Sequence, residues 1–242
     1  MSKQRLDKII ASQGAYSRSE VKALVKAKRV LVNGVAVSDP GFKADPDTDE
    51  ITVDGKKFGY SEFVYIMLNK PKGVVSASNS PNDKTVIDLL PGEMRRSGLF
   101  PAGRLDKDTT GFVLITDDGE FAHEILSPKN HIEKTYEARL AQPVDEKQLE
   151  MVADGIVLGD GTECLPAKLR VVEDTDNPLV EIKIYEGKYH QIKRMFAAAG
   201  NGVIELKRTM MGALPLDDRL AEGECRRLTD EELLLVQQKS SE

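Results

Sequence analysis

Apolar residues along the first sixty positions recur in two rhythms. In residues 4–13, Leu6, Ile9 and Ile10 share one face at helical spacing and Gly14 supplies a stop, so the pattern predicts a helix. Ser17 with Glu20 has the capping-box spacing and opens a second helix, whose apolar stripe is Val21, Leu24 and Val25. The period then shortens to two. VLVNGVAV reads as a hairpin turning at Asn33-Gly34, and a short strand, Ile51–Val53, precedes a turn at Asp54-Gly55. Together these elements predict a small N-terminal module over residues 1–59.

Over residues 60–242 the pattern predicts strands at 64–68, 112–116, 135–140, 168–172 and 179–185, and helices at 119–126, 145–154, 190–199 and 230–237. Val180, Ile182 and Ile184 alternate with Glu181, Lys183 and Tyr185, which buries one face of that strand. Thr229 and Glu232 cap the last helix. The order lacks regular βαβ alternation. It points to an α+β chain whose larger domain has a mainly antiparallel mixed sheet flanked by helices.

Composition narrows the class. With 242 residues, 40% of them hydrophobic, the chain can bury a core and is not a disordered polymer. No run approaches the roughly 18 apolar residues of a membrane span, and MSKQRLDKII lacks the apolar stretch of a signal peptide. Cys164 and Cys225 form neither a disulfide framework nor a ligand cluster. A soluble, cytoplasmic, metal-free protein is expected. The net charge of −6 argues against a polyanionic partner until its distribution is considered. Residues 1–34 carry eight basic and two acidic side chains, a net of +6, which leaves −12 for the rest. Such asymmetry suggests a basic nucleic-acid-binding end on an acidic body. Arg18, Lys22 and Lys26 fall at i, i+4 and i+8, a like-charge stripe that costs ~0.2–0.5 kcal/mol per pair. It is either a solvated helix face or a line of phosphate contacts.

Most familiar catalytic motifs are missing: there is no G-x-x-x-x-G-K-[ST], G-x-G-x-x-G, G-x-S-x-G or H-E-x-x-H. His123, His131 and His190 are not spaced as a metal site. Chemistry must rest on carboxylates, hydroxyls and cations, and Gly103-Arg104-Leu105-Asp106-Lys107-Asp108-Thr109-Thr110-Gly111 concentrates them. The segment suits the first half of a calcium loop, although FPAGRL is a poor helix and Asp117 stands where a bidentate Glu belongs. It also suits the D-x-D-x-T of haloacid-dehalogenase-type phosphotransferases, although no apolar strand leads into Asp106. A structural turn is the third alternative.

Other segments add to this one. Arg5-Leu6-Asp7-Lys8, Ser17-Arg18-Ser19-Glu20, Val30–Val32 and Asn33-Gly34 closely resemble the alpha-L RNA-binding motif of a small-subunit ribosomal protein, tyrosyl-tRNA synthetases and many RNA-modifying enzymes. The resemblance implies a structured RNA as partner, with Arg5, Arg18, Lys22 and Lys26 as contacts. Gly103-Arg104-Leu105-Asp106 with Thr109 and Gly111 resembles the catalytic loop of pseudouridine synthases. Asn69-Lys70-Pro71-Lys72-Gly73 resembles their first motif, Lys134-Thr135-Tyr136 their tyrosine-bearing strand, and Glu186 to Met195 their third motif. The order is the family's own. Within the family, Tyr-His-Gln-Ile-Lys-Arg-Met-Phe looks like the bacterial branch that modifies the small ribosomal subunit, where large-subunit relatives usually have Asn-Arg at the Tyr-His positions.

The resemblance implies a pseudouridine synthase fold and a monomer that isomerises one uridine of 16S ribosomal RNA, uridine 516, either in the free RNA or in a small-subunit assembly intermediate. The alternatives are a large-subunit synthase of the same family and a non-catalytic RNA-binding assembly factor. No atoms enter or leave in this isomerisation, so no cofactor is expected. Asp106 would be the essential carboxylate, acting on sugar or uracil as a nucleophile or as the base that starts elimination. Lys193 would hold it ionised and aimed, Tyr136 would stack under the base or also shuttle a proton, and Arg104 would fill the gap left by a flipped uridine. Lys70, Lys72 and Arg194 would meet the RNA. Each supporting residue has a plainer role open to it. Lys193 or Arg194 suits an exposed helix face, Lys70 and Lys72 suit a turn, and His190 and Asp108 suit loop support, with Asp108 also a competitor of Asp106 for the nucleophile role. Ile192, Met195, Phe196 and Ala199 form the apolar stripe of their helix, and Gly200 stops it.

Overall fold

The computed structural model describes residues 3–239. Its N-terminal part runs β1 (Gln4–Arg5), α1 (Leu6–Ser12), α2 (Arg18–Lys26), β2 (Val30–Val32), β3 (Val35–Ala36), β4 (Lys43–Ala44), β5 (Ile51–Val53) and β6 (Lys56–Lys57). The first helix is shorter than its apolar pattern predicts. Gln4 and Arg5 leave the helix to pair with Ala44 and Lys43, and the guanidinium of Arg5 binds Asp7 within the first turn of α1. The second helix begins as its sequence predicts, with Ser17 and Glu20 satisfying each other's backbone amides. At the hairpin, Asn33 and Gly34 both have positive φ, 52° and 78°, as a two-residue turn between right-twisting strands requires. Strands β3-β2-β5-β6 form one antiparallel sheet. Leu6, Ile9, Ile10, Val21, Leu24 and Val25 pack with Val30, Val32, Ile51 and Val53 as the core.

The chain divides into two compact units, and the division is not a single cut at residue 59. The first unit extends to Val64 and takes in Leu90–Leu99, a segment the sequence had assigned to the larger domain. The reason is local: the Arg96 guanidinium donates to the carbonyls of Ser61 and Glu62 at 2.9 and 2.7 Å.

The second unit runs β7 (Tyr65–Lys70), β8 (Phe100–Ala102), β9 (Thr110–Thr116), α3 (Gly119–Leu126), β10 (Lys134–Leu140), α4 (Glu146–Ala153), β11 (Lys168–Glu173), β12 (Leu179–Ile184), α5 (Gln191–Ala198), β13 (Val203–Met211), β14 (Leu214–Pro215), β15 (Cys225–Arg227) and α6 (Asp230–Val236). All five expected strands and all four expected helices of this part form. A nine-stranded sheet has the order β11-β12-β10-β13-β9-β7-β15, with β14 on β13 and β8 on β9. Every pairing is antiparallel except β9 with β13. β9 is buried along its whole length, and α3 and α6 pack Phe121, Ala122, Ile125 and Val236 against Met67, Phe112 and Leu114. Helices α4 and α5 lie against β11 and β13. Gly111 makes the parallel pairing possible: its φ is +96°, and a Cβ there would stand 2.2 Å from the carbonyl oxygen of Arg208. No helix among the described residues is long and apolar enough to cross a membrane.

Candidate active site

The loop from Gly103 to Thr109 joins β8 to β9, and its backbone is held at several points. Ser76 Oγ accepts from the Leu105 amide and donates to the Leu105 carbonyl, both at 3.1 Å. The Lys107 carbonyl accepts from the Gly73 amide at 2.8 Å. Beneath the loop lies Lys70, wholly buried at the end of β7, whose ammonium donates to the carbonyls of Thr109, Pro71 and Lys107 at 2.7, 3.1 and 3.3 Å. Burial pulls its pKa down to about 8, against the pull of Asp108 and Asp106. The expected RNA contact by Lys70 is therefore corrected. A wholly buried ammonium whose donors are taken by three carbonyls has nothing to offer a phosphate.

The loop sets Asp106 opposite the start of α5. Lys193 Nζ lies 3.1 Å from Asp106 Oδ2 and 2.6 Å from Asp108 Oδ1, and His190 Nε2 lies 3.4 Å from Asp106 Oδ1. Burial depresses the Lys193 ammonium, but its hydrogen bonds to Asp108 and Asp106 outweigh that and raise it overall. The Lys193 bond in turn lowers the Asp108 carboxyl. Asp106 and Asp108 thus share an ammonium. Among the described residues, no group of three or more His, Cys, Asp or Glu side chains has the arrangement of a metal site.

Asp106, Arg104, Thr109, Tyr136, His190 and Leu206 line one cavity. Tyr136, on β10, is buried to 7% exposure and also walls a second cavity with Arg104, Lys134 and Arg208. Arg104 is exposed where it lines both. The structure thus brings together Asp106, Lys193, Tyr136 and Arg104, which the sequence had scattered over ninety positions.

The remaining cations are placed otherwise. Lys72 faces Glu205 at 3.5 Å, beside Arg139 and Glu222. Arg194 bonds Asp160 at 2.5 Å and the Tyr189 carbonyl at 3.2 Å, and Thr162 together with Arg194 holds the Asp160 carboxyl down at about 2. In the N-terminal unit, Arg18, Lys22 and Lys26 are exposed along a flank of α2 beside its buried Val21, Leu24 and Val25, whereas Arg5 is engaged with Asp7 at 2.8 Å.

Sequence reasoning missed Ser76, Gln191 and Arg208. Gln191 receives the Lys188 amide at 3.0 Å and donates to Glu186 at 2.7 Å, which shapes the turn into α5. Arg208 lies on β13, a strand the pattern did not predict. Its 2% exposure was the one property that would have marked it, and sequence does not display it.

Residues 64–198 match the RNA pseudouridylate synthase family, and residues 4–51 match the S4 domain. An uncharacterised RNA pseudouridine synthase of Bacillus subtilis, YtzG, is 48% identical over 96% of this chain and 98% of its own. Ribosomal small subunit pseudouridine synthase A of Escherichia coli K12 is 44% identical over 96% and 99%. A crystal structure of a pseudouridylate synthase superposes with a TM-score of 0.66 at 40% identity, covering 96% of this chain and 99% of that one. The Asp106 loop, the tyrosine strand and the Lys193 helix all lie inside the matched region, and the chain belongs to the RNA pseudouridine synthase family, with an S4 domain at its N-terminal end.

Proposed function

We propose that this protein converts one uridine of 16S ribosomal RNA to pseudouridine, and that by its likeness to the small-subunit synthases the target is uridine 516. The observation that carries the proposal is that Asp106 and Tyr136 line one cavity while the Lys193 ammonium holds Asp106 at 3.1 Å. The reaction breaks the N1–C1′ bond, turns the uracil and joins C5 to C1′; a proton leaves C5 and one is gained at N1. Asp106 supplies the reactive carboxylate, and Lys193 aims it while neutralising charge. Tyr136 forms the wall against which the uracil stacks. Arg104, exposed at the cavity, enters the gap in the RNA when the uridine leaves its stack. The S4 domain holds the RNA by phosphate contacts from Arg18, Lys22 and Lys26, in free 16S RNA or an assembly intermediate, and the protein acts as a cytoplasmic monomer without a cofactor.

A non-catalytic assembly factor would need RNA contacts but no carboxylate aimed by a half-buried lysine. A phosphotransferase would need its aspartate at the end of a parallel strand, whereas Asp106 follows β8, which pairs antiparallel to β9. The test is pseudouridine mapping of ribosomal RNA from cells with and without the gene, together with tritium release from C5-labelled uridine by the purified protein. Loss of a single small-subunit pseudouridine is expected. Loss of a large-subunit pseudouridine reassigns the substrate, and no change in either subunit overturns the proposal.

A further inference from the structure

Tyr136 and Arg208 are cross-strand partners in the register of β10 and β13, and the register shifts between Thr135 and Tyr136, so that Thr135 pairs with Met210 and Thr209 is passed over. The central position of β13, between β10 and β9, removes Arg208 from water. Its Nε donates to the Phe112 carbonyl at 2.7 Å, and its Nη1 donates to Tyr136 Oη at 3.4 Å, with the guanidinium carbon 5.9 Å from the centre of the Tyr136 ring. Nη2 is buried without a hydrogen-bond partner among the described residues, and no carboxylate pairs with the guanidinium. The nearby charge is of the same sign: Lys134, in the same cavity, is pushed down to about 8 by burial and by Arg208.

A buried cation without a carboxylate is expensive unless its donors find acceptors, and Arg208 finds one in the Phe112 carbonyl and one in the Tyr136 hydroxyl. A guanidinium has five N–H donors and no acceptor. The tyrosine oxygen must therefore accept from Arg208, and its own proton must point elsewhere. Tyr136 lines two cavities, one with Arg208 and Lys134 and one with Asp106, and Arg104, Gly187 and Lys188 line both. Arg208 and Lys134 line only the first of these, so the O–H turns away from them toward the cavity of Asp106.

We propose that Arg208 is a positioning residue that fixes the Tyr136 hydroxyl as an acceptor toward the sheet and thereby as a donor toward the uridine cavity. This rests on the reading of Tyr136 as a wall of that cavity. The Phe112 carbonyl and the strand register hold the guanidinium, so the hydroxyl is oriented before RNA arrives.

The test is a double-mutant cycle on the full-length protein, with Arg208→Met, Tyr136→Phe and the pair. Arg208→Met is expected to lower kcat by about 100-fold, within the range of a misplaced proton donor, with KM for the RNA changed by less than about twofold. In the Tyr136→Phe background the same substitution should change kcat by less than about twofold, because the hydroxyl it acts through is gone. In protein labelled with 13C at tyrosine Cζ, the Tyr136 resonance, identified by its loss in Tyr136→Phe, should move when Arg208 is replaced. If Arg208→Met does not fold, Arg208→Lys, which keeps the charge without the fork, takes its place in the cycle under the same criteria. Equal loss of kcat in both backgrounds, a rise in KM with kcat intact, or an unmoved Tyr136 resonance overturns the proposal. A wild-type protein that isomerises no ribosomal uridine overturns the proposed function instead, while the resonance, which needs no substrate, still decides the Arg208–Tyr136 contact.

Discussion

In the N-terminal unit the cations Arg18, Lys22 and Lys26 stand in water along a helix that buries Val21, Leu24 and Val25. In the larger unit Lys70, Lys134 and Arg208 are buried to 4% exposure or less and are held by carbonyls instead of carboxylates. Solvated cations keep their hydration, cost little and act together through the counterions they displace. A buried cation loses its hydration and persists only where the backbone supplies acceptors at fixed points. Number and spacing therefore matter in the first unit, and individual position in the second. Lys193 lies between these cases: it is partly exposed and divided between two carboxylates beside the cavity.

The sharpest test of this contrast is Asp106→Asn, which keeps side-chain volume and removes the charge Lys193 faces. It should lower the rate by at least about 10⁴-fold, the loss of several kcal/mol of barrier stabilisation, while RNA affinity changes little. Tritium release with parallel filter binding measures both. Activity within tenfold of wild type would remove Asp106 from its role and make Asp108→Asn the next variant.

Replacing Arg18, Lys22 and Lys26 together by Ala should weaken RNA binding and reduce the slope of log affinity against log salt by roughly 0.7–0.9 for each lost phosphate contact. The turnover number at saturating RNA should stay near wild type, because the three contribute uniform binding. An unchanged slope would show them to be solvated bystanders, and the contrast between the units would lose its functional half.

Lys70→Met should act in the opposite manner, leaving the salt slope intact while destabilising the fold by roughly 1–3 kcal/mol, since buried carbonyls lose their donor. The denaturant midpoint reports this, and kcat should fall because the Asp106 loop loses its floor. A midpoint within error of wild type would mean that water or a neighbour replaces the ammonium at no cost.

The smallest effect is one of pH. The Lys70 pKa is about 8 in the folded protein and 10.5 ordinarily. Between those values the unfolded chain binds more protons at this site, so its contribution to stability rises with pH across the window and is flat below it. The stability deficit of Lys70→Met should accordingly widen as pH climbs from about 8 toward 10.5, as read from denaturation midpoints at three pH values. A constant deficit would indicate an ammonium no more desolvated than those on α2.

Much of the architecture was legible because its signals are local. Helix α3 occupies the expected residues, since Asp118 caps it with bonds to the Glu120 and Phe121 amides, and α6 begins where Thr229 and Glu232 close their box. Ile192, Met195, Phe196 and Ala199 are all buried, as their spacing predicts. β13 was not legible. Its residues Ile204, Glu205, Lys207 and Arg208 lack clean alternation, and the shift of register at Thr209 interrupts the period. Missing that strand meant missing Arg208. The start of α1 failed for a similar reason, because Gln4 and Arg5 pair with residues forty positions away.

The sequence by itself determined the class of fold and the basic N-terminal module, and it singled out Asp106, Tyr136 and Lys193 together, because caps, turns, periodicity and motif order are written in neighbouring residues. Only the tertiary structure decided what each cation does. Lys70 and Lys72 are two positions apart in one turn, yet one is wholly buried under the Asp106 loop and the other is exposed beside Glu205. Arg194 adjoins Lys193 and bonds Asp160 instead of Asp106. The physical reason is that a charge is governed by its hydration and its acceptors, and these are supplied by strands and loops far away in the chain.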